Sequence, residues 1–142
     1  MITGRCLCGA VRYESPGPAL FAAICHCRDC QRASGGGGLP VLGVDRASFS
    51  ASGPLRQSRT RGGSGQMAVR NFCADCGSLL FGTPESAPEL VTIYAGSLDD
   101  PDSFRPDEAL FVAQRPAWAR LATPLVEHPA LPGVPAGDPD TA

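Results

Sequence analysis

Seven cysteines in 142 residues, grouped in three short clusters, constrain this chain more than any other feature. Cys6 and Cys8 flank Leu7; Cys25, Cys27 and Cys30 fall within six residues; Cys73 and Cys76 precede Gly77. An odd number of thiols cannot all be paired within one chain, so a disulfide framework does not absorb them. The first residues, MITGRCLCGAVRYES, lack a basic stretch followed by an apolar one, so no secretory leader is expected. No apolar run approaches the roughly 18 to 20 residues of a membrane span. The expected compartment is therefore the cytoplasm, where thiols stay reduced and clustered cysteines more often hold metal.

The spacing limits how the thiols can be shared. In Cys73-Ala74-Asp75-Cys76-Gly77 two intervening residues let both sulfurs face one ion, and the glycine permits the tight turn beneath them. Two ligands do not complete a tetrahedral zinc. The middle group, C-x-C-x-x-C, can supply three sulfurs by itself: Cys25 and Cys27 share one face of an extended segment, and the next turn returns Cys30 to it. Cys6 and Cys8, also on one face, are then left to join Cys73 and Cys76 about 65 residues later. That partition predicts one closed four-thiolate site, which holds structure, and one three-thiolate site with an open position for chemistry.

Other uses of these residues have to be weighed. Buried packing or redox sensing is a poor account of three ligand-spaced clusters. An iron–sulfur cluster on the middle group is the closer rival, and the Cys73–Cys76 knuckle favours zinc. His26 is open to three readings: a fourth ligand, a general base, or a partly exposed histidine beside the chemistry, the last being preferred. Alternation sends its side chain away from Cys25 and Cys27.

Gly 17 and Pro 14 break helices too often for a bundle, and the apolar runs are short. Strands are expected over 7–13, 20–25, 39–44, 67–72, 78–81, 90–95 and 109–113, bounded by Gly, Pro, Asp or Ser. Helix is expected only over Arg28 to Ser34, stopped by Gly35, and as a short start over Arg115 to Leu121. Ser52 to Gln66 reads as a long polar loop. The expected fold class is mainly β with little helix, a zinc-binding domain over 1–125 followed by a Pro-rich disordered tail over 126–142.

Taken in order, GRCLCGAVRY at 4–13, CHCRDCQRASG at 25–35, FCADCGSLL at 72–80 and GSLDDP at 96–101 resemble the glutathione-dependent formaldehyde-activating family, which includes centromere protein V. Trp118 after an apolar strand extends the resemblance to about residue 120. The resemblance implies a small β-tent fold of short antiparallel sheets with two Zn²⁺ per chain. Cys6, Cys8, Cys73 and Cys76 would bind the structural zinc and Cys25, Cys27 and Cys30 the catalytic one. The implied activity is that of a carbon–sulfur lyase joining a small thiol, glutathione in the named members, to formaldehyde as an S-hydroxymethyl adduct. The alternative is a non-catalytic zinc module that binds a thiol ligand or a protein partner.

The formal charge of −2 argues against nucleic acid as a partner, and the partners expected are a small thiol and an aldehyde. Three thiolates on one Zn²⁺ leave a net negative site that invites cations, and Arg28 and Arg32 flank the cluster as candidate substrate-binding residues. Arg56, Arg59, Arg61 and Arg70 form an acid-free stretch, read first as solvated and second as carboxylate receptors. Asp99 and Asp100 read first as a capped turn and second as catalytic candidates, and Trp118 as a core or rim anchor before a substrate platform.

Overall fold

A computed structural model describes residues 1–62 and 64–137. Two sheets face each other. The smaller has the order β1 (Ile2–Arg5), β2 (Arg12–Ser15), β5 (Ser50–Ser52), all antiparallel. The larger has eight strands. Its central ones are β3 (Phe21–Cys25), β4 (Leu39–Asp45), β9 (Leu90–Tyr94) and β8 (Leu79–Gly82), with β7 (Met67–Cys73) and β6 (Leu55–Arg61) towards one edge. Pairing from β3 to β6 is antiparallel throughout. At the other edge β10 (Glu108–Leu110) and β11 (Val126–Glu127) add in parallel, so a sheet that is mostly antiparallel becomes mixed there. The one α-helix among the described residues, α1 (Arg28–Ser34), ends at Gly35 in the left-handed conformation, at φ 74°, as the sequence predicts. No helix among the described residues is long and apolar enough to cross a membrane.

The core lies between the sheets. Register places Leu42 opposite Ile93 and Ile93 opposite Phe81, so one face of the large sheet carries an unbroken apolar row. Val11 and Tyr13 of the small sheet close over it, and Tyr13, Phe49 and Phe81 form an aromatic cluster with centroids 4.8 to 6.3 Å apart. Tyr13 crosses Gly4, its partner on β1, to donate to Ser97 Oγ at 2.8 Å, and Ser97 in turn donates to the Tyr94 carbonyl at 2.8 Å. A Cβ at Gly4 would collide with both Tyr13 Oη and the Ser97 carbonyl. Gly4→Ala should therefore cost about 1–3 kcal/mol, read as a lower denaturant midpoint at unchanged slope.

Several elements differ from the sequence expectation. Of the expected 7–13 strand, residues 7–11 form the turn between β1 and β2 and only Arg12 and Tyr13 lie in β2, while the polar stretch over 52–66 holds β6. Arg115 to Leu121 contains turns and no helix. Within 126–137, β11 pairs with β10. Ala130 is buried, and the His128 and Ala130 carbonyls accept from Val112 and Phe111. Residues 138–142 of the expected tail lie outside the described residues.

Candidate metal centres

The four-thiol group is made by two turns of similar design. After β1, Gly9 N–H donates to the Cys6 carbonyl at 3.1 Å, Cys6 N–H donates to the Val11 carbonyl, and Val11 N–H donates to Cys6 Sγ at 3.2 Å. After β7, Gly77 (φ 75°) donates to the Cys73 carbonyl at 2.9 Å and Cys73 N–H donates to the Ser78 carbonyl. Ser78 Oγ binds the two turns together, accepting from Leu7 N–H at 3.0 Å while lying 3.2 Å from Cys76 Sγ. That hydroxyl, with the Cys8 and Ser78 N–H groups, pulls the Cys76 thiol down to about 5. Cys6 and Cys8 sulfurs stand 3.5 Å apart and Cys8 and Cys73 sulfurs 3.8 Å apart. All four lie within 4.8 Å of one another. Zn–S bonds of about 2.3 Å in a tetrahedron separate sulfurs by about 3.8 Å, so this donor set fits zinc.

The three-thiol group forms where β3 runs into α1. Cys25 ends the strand, Cys27 is the N-cap, and Cys30 lies in the first turn, donating its N–H to Cys27 Sγ at 3.3 Å. Their sulfurs also lie within 4.8 Å of one another, a set that could hold an ion and supplies three of four tetrahedral positions. Hydrogen bonds from Cys25 and Cys30 hold the Cys27 thiol down at about 3, aided by the Cys30 N–H and the charge of Arg70. Cys25 is pushed up in consequence, so the first negative charge of the group settles on Cys27.

Residues without any motif fix this geometry. Gln31 Nε2 donates to the carbonyls of His26 (2.7 Å) and Gln114 (2.9 Å), and Gln114 Oε1 accepts from Arg28 N–H at 2.7 Å. Phe111, held at φ 55° where non-glycine residues are uncommon, packs with Ala130 against Cys27. Nothing in the sequence beyond its polarity singles out Gln31, because one of its partners, Gln114, lies 83 residues away.

His26 is buried at 5% exposure, not partly exposed. Its Nδ1–H donates to the Gly37 carbonyl at 2.7 Å, and the ring is not part of the three-thiol group. Arg28 turns back onto Gln31, and Arg32 is exposed in the last turn of α1. Arg59 pairs with Glu85 at the surface, while Arg70 is buried and its charge reaches Cys27, Cys30 and Tyr94. Asp100 caps a turn, accepting from Asp102 N–H at 3.1 Å, and Asp99 lies 3.9 Å from Arg5. Trp118 is 74% exposed and lies over Gly37.

An open cleft of about 430 Å³ runs from α1 to the Cys73–Cys76 turn, lined by Ala33, Ser34, Leu39, Gly77, Leu79 and Tyr94. Ala33 and Ser34 follow Cys30 by three and four residues and so share its helix face. Burial keeps the Tyr94 phenol well above its ordinary value, leaving it an O–H donor on the cleft floor.

The pattern that defines the glutathione-dependent formaldehyde-activating enzyme family matches residues 1–114. A Halomonas elongata protein, provisionally named as a glutathione-dependent formaldehyde-activating enzyme, is 33% identical over 129 residues, covering 85% of this chain and 81% of its own. The fold is shared with a crystal structure of a Rhodobacter sphaeroides protein at a TM-score of 0.54 and 22% identity, over 68% of this chain and 87% of that one. Two cysteine groups with ligand geometry, a mainly β fold and this match over most of its length place the chain in the glutathione-dependent formaldehyde-activating enzyme family.

Proposed function

We propose that the chain joins a small thiol, glutathione or a close analogue, to formaldehyde, giving an S-hydroxymethyl adduct by carbon–sulfur lyase-type chemistry. The observation that carries this reading is the inequality of the two centres: four thiols close one tetrahedron, and three leave a position in the other. Cys6, Cys8, Cys73 and Cys76 would hold a structural Zn²⁺, and Cys25, Cys27 and Cys30 a second. When bound there, zinc supplies a means of keeping a thiol deprotonated at neutral pH. The thiol gives its proton to solvent, the sulfur forms one S–C bond as the carbonyl π pair moves to oxygen, and that oxygen then takes a proton back from solvent.

The chain's own residues arrange the partners. Gln31 and Gln114 hold α1 so that Cys25, Cys27 and Cys30 stay convergent, and the neighbouring cleft gives a tripeptide-sized thiol room beside them. Arg32 stands exposed on α1 as a cation for a substrate carboxylate, with Arg28 preceding it by one turn. Exchange spectroscopy on formaldehyde and glutathione, with and without the protein, tests the reading. Accelerated adduct formation is expected. No acceleration with any common cellular thiol would favour a module that binds a thiol or a partner without turnover.

A further inference from the structure

Arg70 is 7% exposed, yet among the described residues no carboxylate lies within ion-pair distance of it. Its Nη1 donates to Thr60 Oγ1 at 2.8 Å, and its Nε is buried without a partner. The next residue, Asn71, faces the other way and is satisfied, donating to the Phe81 carbonyl at 3.1 Å and accepting from Gln57 at 2.8 Å. A guanidinium cannot shed its proton, and burying one without a counter-charge is strongly unfavourable.

The sheet register shows where that counter-charge can lie. Arg70 is opposite Gly82, Gly82 opposite Thr92, and Tyr94 follows Thr92 on the same face. The missing side chain of Gly82 leaves room for the Tyr94 hydroxyl, which would stand 2.8 Å from a Cβ there. Tyr94 packs with Ala23, Leu39 and Val41, and Cys30 packs against that same cluster. Cys25, opposite Leu39, also lies on this face. Glu108, an acid on this face of β10, lies beside His128 Nε2 at 3.4 Å and makes no ion pair with Arg70. One guanidinium and one phenol thus lead across the sheet to the three thiols.

We propose that Arg70 is the counter-cation of the Cys25–Cys27–Cys30 centre, and that with the Tyr94 hydroxyl it selects ligands that bind there as thiolate anions. The proposal rests on the reading that these three thiols hold one Zn²⁺. Three thiolates on a dication carry one net negative charge, and a thiolate ligand in the open position adds a second. Arg70 offsets part of that charge across a low-dielectric interior, where Coulomb terms are large.

The protein loaded with Co²⁺ in place of zinc provides the test, because thiolate-to-cobalt charge-transfer absorption reads ligand binding without turnover. Two probes are titrated: 2-mercaptoethanol, which has no carboxylate, and glutathione. Arg70→Gln should weaken both by about tenfold or more, and Arg70→Lys, which keeps the charge, should stay within about threefold of the native protein. A competing chelator should also withdraw one of the two ions faster from Arg70→Gln and leave the other unchanged. Weakening of glutathione alone would make Arg70 a carboxylate receptor and overturn the proposal, as would unchanged affinity for both probes. Should Arg70→Gln not fold, Tyr94→Phe carries the test, and unchanged 2-mercaptoethanol affinity there overturns it. Two bound ions without any acceleration of adduct formation would defeat the proposed reaction and leave this inference standing. A single ion per chain would defeat the ligand assignment instead.

Discussion

Cys76→Ser should leave the chain unfolded at ambient temperature, while Cys30→Ser should remain folded. The four-thiol group joins the β1–β2 turn to the β7–β8 turn across 65 residues, and the main core, which takes in Cys6, Val11, Cys73 and Leu80, is packed around that same link. Structural zinc sites contribute about 10–16 kcal/mol to folding, as much as or more than the whole net stability of a typical domain. Removing one of four thiolates also frees Ser78, whose hydroxyl connects Leu7 to Cys76. Cys30 lies on a seven-residue helix that Gln31 and Gln114 hold independently of any thiol. Far-ultraviolet circular dichroism during heating, with zinc counted per chain, separates the cases. Native protein should carry two ions and Cys30→Ser one with its transition preserved. Equal loss of thermal stability in both variants would contradict separate structural and reactive centres.

The partition of the thiols was legible in the sequence because ligand spacing is a local property. C-x-C, C-x-C-x-x-C and C-x-x-C-G each dictate which sulfurs can converge, and arithmetic on seven residues does the rest. The central strands were legible for a related reason: β4, β8 and β9 are buried runs with turn residues at their ends. What escaped reading was whatever depended on a distant neighbour. β6 is polar along nearly its whole length because it is an outer strand with both faces wet, so it carries no apolar alternation to reveal it. Residues 126–134 look like a tail by their prolines, but a proline keeps its carbonyl, and those of His128, Pro129 and Ala130 find donors in Val112, Ala113 and Phe111. Arg70 sits in a stretch whose composition suggests solvent; only the register, which places it opposite a glycine beside Tyr94, turns it inward.

Cys27→Ala should abolish any acceleration of adduct formation and reduce the metal content by one ion per chain, with the domain still folded. Among the three thiols Cys27 is the most buried, and it bears the first negative charge, held there by Cys25, Cys30 and the Cys30 N–H. Its loss leaves two ligands, too few for a stable zinc centre of this kind. The same residue is also the N-cap of α1, and replacing a capping side chain by alanine costs about 1 kcal/mol. A fall in activity could therefore come from a frayed helix that no longer positions Cys30. Cys27→Ser separates the two causes, because serine caps a helix well and is a poor ligand for zinc beside thiolates. The serine variant should recover the native unfolding midpoint and remain without activity. Recovery of activity along with stability would show that Cys27 serves the helix and not the metal, and would remove the three-thiolate centre from the reaction.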